Sequence, residues 1–117
     1  MSHFTTLRSR LTDIEMLKVS LRQLGIAVET NAAVRGATCQ QVRADVVAVL
    51  EGGYDLGWSR NADGSLDLVS DLWGVARKHN LEKLISSINQ QYAVNKTLAA
   101  LRCPSLQKAQ VKLVMQQ

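Results

Sequence analysis

Between Gln41 and Val69 the chain reverses twice within a few residues, and these reversals constrain the fold more than any other feature. Gly52 with Gly53 separates the valine- and alanine-rich run Gln41 to Leu50 from Tyr54 to Arg60. Asn61, Ala62, Asp63 and Gly64 then separate that run from Leu66 to Val69. Glycine, asparagine and aspartate supply the backbone conformations that tight turns need. Connections this short join antiparallel strands, because a parallel pair needs a crossover of roughly a dozen residues or more. Leu66 and Leu68 alternate with Asp67 and Val69 at the period of a strand, so three runs form an antiparallel meander.

The flanking segments change period. Phe4 to Arg10 is rich in threonine and basic side chains and reads as a short strand. Thr12 and Glu15 have capping-box spacing, with Leu11 and Met16 placed as a hydrophobic staple, which predicts a helix from about residue 13. Ile14, Leu17, Leu21 and Leu24 continue it at helical spacing, and Gly25 ends it. Ile26, Val28 and Thr30 alternate as a strand that stops at a turn around Asn31. After Trp73 and Gly74 a second helix is predicted, capped by Asn80, with Leu81, Ile85, Ile88, Tyr92 and Ala99 on its inward stripe. It stops near Arg102, because Pro104 disfavours helical geometry in Cys103. Val111, Leu113 and Met115 alternate as an optional last strand.

The resulting order, β-α-β-β-β-β-α-(β), predicts an α+β fold: an antiparallel sheet of about five or six strands with two helices on one face. TATA-binding-protein-like and helix-grip folds share this order, which says nothing of function. At 117 residues, 46% hydrophobic and 21% charged, the chain has the size and composition of a single domain with a real core. Cys39 and Cys103 lack a paired spacing, which fits a reducing compartment. The N-terminal segment lacks a signal-peptide pattern, and no apolar run is long enough to span a membrane. The net charge of +4 permits a polyanionic partner, but the basic residues are scattered along the chain.

Little in the sequence announces chemistry. The Gly52–Gly53 pair sits where a hairpin already needs it, not in a phosphate loop. His3, His79, Cys39 and Cys103 lack zinc-ligand spacing, so no metal or cofactor is expected. Asp45 interrupts an apolar strand and is expected to pair with Arg35 or Arg43. Strand alternation places Asp55, Asp67 and Asp71 opposite Leu56, Trp58, Leu66 and Leu68, on a solvated face; only convergence in a cleft would make them an acid–base pair. Trp58 shares the parity of Leu56 and reads as core. Arg8, Arg10, Arg43 and Arg60, beside sheet aromatics, are candidate anion contacts for a nucleic acid.

Six short pieces point to a family. Met1-Ser2-His3-Phe4, Val34-Arg35-Gly36, Ala44-Asp45-Val46-Val47, Gly53-Tyr54-Asp55-Leu56-Gly57, Asp71-Leu72-Trp73-Gly74 and Gln90-Gln91-Tyr92 together resemble the hypothetical chloroplast reading frame thirty-five family, over about residues 1 to 95. After Thr97 the chain looks shorter and less charged than that family. The resemblance implies a photosynthetic host, with a location in cyanobacterial cytoplasm or plastid stroma, and carries no activity or catalytic residue. Within the matched pieces, Arg35, Tyr54, Asp55, Asp71 and Trp73 are candidate partner-binding residues. The simpler structural reading has Trp73 closing one end of the core.

These observations favour a non-enzymatic binding or accessory protein acting through a protein partner. A nucleic-acid-binding module is the first alternative, and a small-ligand binder with a cavity under the long helix is the second.

Overall fold

The computed structural model describes residues 4–36 and 42–102. The strand expected at Val111 to Met115 lies outside them, as do His3, Cys39, Cys103 and Pro104. The elements run β1 (Thr5–Arg8), α1 (Ile14–Gln23), β2 (Ala27–Val34), β3 (Val42–Val49), β4 (Leu56–Arg60), β5 (Leu66–Ser70), α2 (Leu72–Lys78) and α3 (Leu81–Leu101). Five strands form one antiparallel sheet in the order β1-β5-β4-β3-β2. The α+β class and the meander are as the sequence indicates; the additional element is α2.

Val46 and Ala48, Leu56 and Trp58, and Leu66 and Leu68 alternate on one face of the sheet. There they meet Leu17 and Leu21 of α1, Val75 of α2, and Ile88 and Tyr92 of α3. Trp58 is only 3% exposed, so its core assignment holds. Asn80 caps α3, its side chain accepting from the Lys83 N–H at 3.1 Å. Beyond Tyr92 the inward contacts of α3 turn polar: Asn95 Nδ2 donates to Ser20 Oγ and Gln23 Oε1 of α1. Ala99, expected on the inward stripe, is exposed.

The start of α1 differs from the capping-box expectation. Asp13, not Thr12, is the cap, accepting from the Met16 N–H at 3.1 Å. The N–H groups of Thr12 and Asp13 donate instead to the Tyr92 hydroxyl, at 3.2 and 3.0 Å. A tertiary contact thus satisfies the Thr12 N–H that a local box would give to Glu15, and Glu15 pairs with Lys18 at 2.7 Å.

The second departure is in β2 and β3. Asn31, expected to end a strand, sits inside β2 with φ of 47°, between the pairs Thr30↔Val46 and Ala32↔Ala44. Up to Thr30 the β2–β3 ribbon lies in the sheet. Beyond it, Val34 and Ala44 pack with Val47 and against Gly57 on the opposite face. The Asp55 N–H, at the entrance to β4, donates to the Arg35 carbonyl at 3.1 Å. Since β3 separates β2 from β4 in the sheet, the ribbon must fold back across the second face, with its crease at Asn31 and Asp45. The Asn31 carbonyl accepts from Arg43 Nη2 at that crease. Asp45 does not pair with Arg35 or Arg43 as expected. It is exposed, and its Oδ2 accepts the Arg60 N–H at 2.7 Å, a donor left without a ladder partner where β3 leaves the sheet.

Candidate functional site

Ser70 pairs with both Leu56 and Thr5, so the entrance to β4, the exit of β5 and the start of β1 lie side by side at one end of the sheet. The folded-back ribbon delivers Val34 to Gly36 to the same place, where a Cβ on Gly36 would lie 3.0 Å from Phe4 and 3.1 Å from Asp71. Arg35, Asp55 and Asp71, far apart in sequence, are thereby gathered at this end. Tyr54 precedes Asp55, and Trp73 lies on the helix that Asp71 starts.

Asp55 is 1% exposed and is the hub of this region. Its Oδ2 accepts the Arg35 N–H at 3.1 Å and Nε at 2.9 Å; its Oδ1 accepts Arg35 Nη2 at 2.9 Å and the Leu50 N–H at 3.2 Å. Arg35 Nη2 also donates to the Leu50 carbonyl at 2.7 Å, and Ser70 Oγ donates to the Asp55 carbonyl at 2.8 Å. The carboxylate therefore ties together the end of β2, the loop after β3 and the entrance to β4. Its hydrogen bond raises the Arg35 pKa above the ordinary arginine value, against the lowering effect of desolvation. That fixes the guanidinium charge, with its side chain still half exposed.

Asp71 is fully buried and caps α2, with Oδ1 accepting the Gly74 N–H at 3.2 Å. The solvated-face expectation fails for Asp55 and Asp71, because strand alternation ends where the strands do: β4 begins at Leu56 and β5 ends at Ser70. It holds better for Asp67, which is half buried and 3.6 Å from Arg8 Nε. The core reading of Trp73 is also overturned. Trp73 is 63% exposed, because α2 turns Val75 inward and Trp73 outward.

Four contacts hold α2: the Asp71 cap; the Tyr54 ring, 2.0 Å from where a Cβ on Gly74 would sit; the Lys78 side chain against Gly52; and His79 Nε2 at 2.8 Å from the Glu51 carbonyl. Gly74 and α2 itself were missed in the sequence. The available signal was the glycine, which costs about 1 kcal/mol relative to alanine in a helix and so marks a close approach.

The four candidate anion contacts do not form one site. Arg8 pairs with Asp67 across the β1–β5 ladder, whereas Arg60 pairs with Leu66, which is on the helix-covered face. Directly opposed residues share a face, so Arg8 and Arg60 lie on opposite sides of the sheet. Arg43 is engaged at the ribbon crease, and only Arg8 and Arg10 meet, at the edge of a cleft of about 240 Å³ between β1 and α3, floored by Trp58, Leu68 and Ile88. Among the described residues no cluster of three or more metal-ligating side chains occurs, and no helix is long and apolar enough to cross a membrane.

Over residues 20–112 the chain matches a family described as protein of unknown function (DUF1257). It is 33% identical over 100 residues to uncharacterized protein ycf35 of Guillardia theta, an alignment covering 84% of this chain and 77% of that one. No solved structure matches the fold. The family match runs from α1 past the end of α3 and encloses the Arg35–Asp55 hub and the Trp73 helix, and the chain belongs to the hypothetical chloroplast reading frame thirty-five (DUF1257) family.

Proposed function

We propose that this protein is a non-enzymatic binding or accessory protein of a photosynthetic cell, in cyanobacterial cytoplasm or plastid stroma, and that it acts through a protein partner. One observation carries the proposal: Trp73 is 63% exposed on a short helix fixed at four points. Leaving a tryptophan in water forgoes a large burial energy, and a preorganised aromatic is the kind of anchor that concentrates binding energy in protein interfaces. The polar groups nearby are occupied in holding the scaffold, Asp55 by Arg35 and Leu50, and Asp71 by the α2 cap, which argues against acid–base work by them. A protein partner is preferred to a nucleic acid because the four candidate arginines form no single basic surface: Arg8 and Arg10 share the β1–α3 cleft, while Arg60 and Arg43 lie elsewhere.

The test is affinity capture from cyanobacterial lysate treated with nuclease, comparing wild type with Trp73→Ala. Support is a defined protein retained by wild type and lost from the variant, with both equally folded by circular dichroism. Retention indifferent to Trp73, or abolished by nuclease in the wild type, overturns the proposal.

A further inference from the structure

We infer that the outward face of α2 receives an acidic, partly apolar segment of the partner protein; this inference rests on the protein-partner reading above. Trp73 and Arg77 are four positions apart on α2 and therefore share one helical face, with exposed Ala76 between them leaving the approach low. Lys78 lies about 140° round the helix from Trp73, its stem laid over Gly52. Both cations are exposed at the last turn of α2, whose first turn carries no acidic residue. Among the described residues the ion pairs are Arg8–Asp67, Lys18–Glu15 and Arg35–Asp55, so neither Arg77 nor Lys78 has an internal counter-charge.

An indole beside an uncompensated arginine complements a segment that combines carboxylates with an apolar side chain. A carboxylate meets Arg77, and the apolar group covers Trp73. A basic segment would meet like charge at Arg77, and a purely apolar one would strand that cation at the rim. The contacts from Asp71, Tyr54 and Glu51 hold the helix before the partner arrives, so little ordering cost falls on binding.

The probe is a short synthetic peptide of glutamates flanking a single leucine, with two controls in which lysine or glutamine replaces glutamate. Acrylamide quenching of wild-type fluorescence reports Trp73, because Trp58 is buried. The glutamate peptide is expected to protect Trp73, the lysine peptide is not, and the protection weakens as salt is added. In the Arg77→Glu variant the peptide affinity falls by about fivefold or more, since like charges are then brought together across the contact. Protection by the lysine or glutamine peptide equal to that by the glutamate peptide overturns the inference, as does no protection by the glutamate peptide. In lysate capture, a partner retained equally by wild type and the charge-reversed variant overturns the acidic assignment alone. Loss of any Trp73-dependent partner overturns the reading beneath it.

Discussion

Asp55 binds Arg35 twice, once through the main-chain N–H and once through the guanidinium, across twenty positions of sequence. The two contacts do different things. The main-chain contact, with the reciprocal bond from the Asp55 N–H to the Arg35 carbonyl, holds the folded-back ribbon to the entrance of β4. The guanidinium neutralises a carboxylate that is otherwise surrounded by protein. Asp55→Ala leaves the Arg35 and Leu50 N–H groups without their acceptor and is expected to cost about 3 kcal/mol in urea denaturation. Arg35→Ala costs less, about 2 kcal/mol, because its half-exposed side chain leaves a path for water to the carboxylate. Losses under about 1 kcal/mol for both would show that the hub does not hold the ribbon.

Gly57 is where the ribbon lies closest to the sheet. A Cβ there would sit 2.5 Å from Val34 Cγ2 and 2.9 Å from Ala44 Cβ. Gly57→Ala should therefore lift the ribbon and destabilise by roughly 1–3 kcal/mol. Hydrogen exchange at Ala32 to Val34 and Val42 to Ala44 should accelerate more than at β5. Uniform acceleration would place the strain elsewhere.

The crease makes its own prediction. Asn31 has φ of 47°, a region that asparagine tolerates and β-branched residues avoid. Asn31→Gly is expected to be near neutral, and Asn31→Val to cost about 1–2 kcal/mol. Equal denaturation midpoints for the two variants would argue that the backbone angle does not define the crease.

Asp63 gives a pH dependence whose sign is fixed. In the β4–β5 turn its carboxylate accepts first from Ser65 Oγ, at 2.6 Å, and also from the Ser65 N–H, at 3.0 Å, and these bonds hold its pKa below the ordinary aspartate value. A carboxyl depressed in the folded state stabilises fully above its unfolded pKa, about 3.9, and the contribution disappears as pH falls through the lower folded value. Wild type should thus be slightly more stable than Asp63→Asn near neutral pH, and the gap should close in acid. A gap that widens in acid would contradict the assignment.

The sequence was most legible where one local rule acts alone. Asn80 and the helix behind it, the turn at Asn61 to Gly64, and the core parity of Leu56 and Trp58 all follow from spacing that tertiary contacts do not oppose. It was least legible where distant groups substitute for local ones. The Tyr92 hydroxyl takes the Thr12 N–H that the capping box would assign to Glu15, and Arg35 turns Asp55 from a solvated side chain into a buried one. Asp71 shows the same limit, since a cap for a seven-residue helix cannot be recognised before that helix is. The five candidate partner-binding residues do gather at one end of the sheet. Of the four candidate anion-binding arginines only Arg8 and Arg10 meet, and Arg43 is drawn to the crease, because periodicity gives the face of a residue within its strand but not how a bent ribbon redirects it.

The two tryptophans should separate stability from binding. Trp58 is 3% exposed among Leu56, Leu66, Leu68 and Ile88, so Trp58→Ala opens a large cavity and should cost about 3–5 kcal/mol. Trp73 is 63% exposed, with few buried contacts to lose, and Trp73→Ala should change stability by no more than about 0.5 kcal/mol. Urea denaturation of both variants decides the point before any partner is known. Near-neutral Trp73→Ala means that the exposed indole does not support the fold, and its loss in a capture experiment then reads on binding alone. If Trp73→Ala is instead destabilising by about 2 kcal/mol or more, the indole packs against the protein in solution, and the face of α2 is not open to a partner.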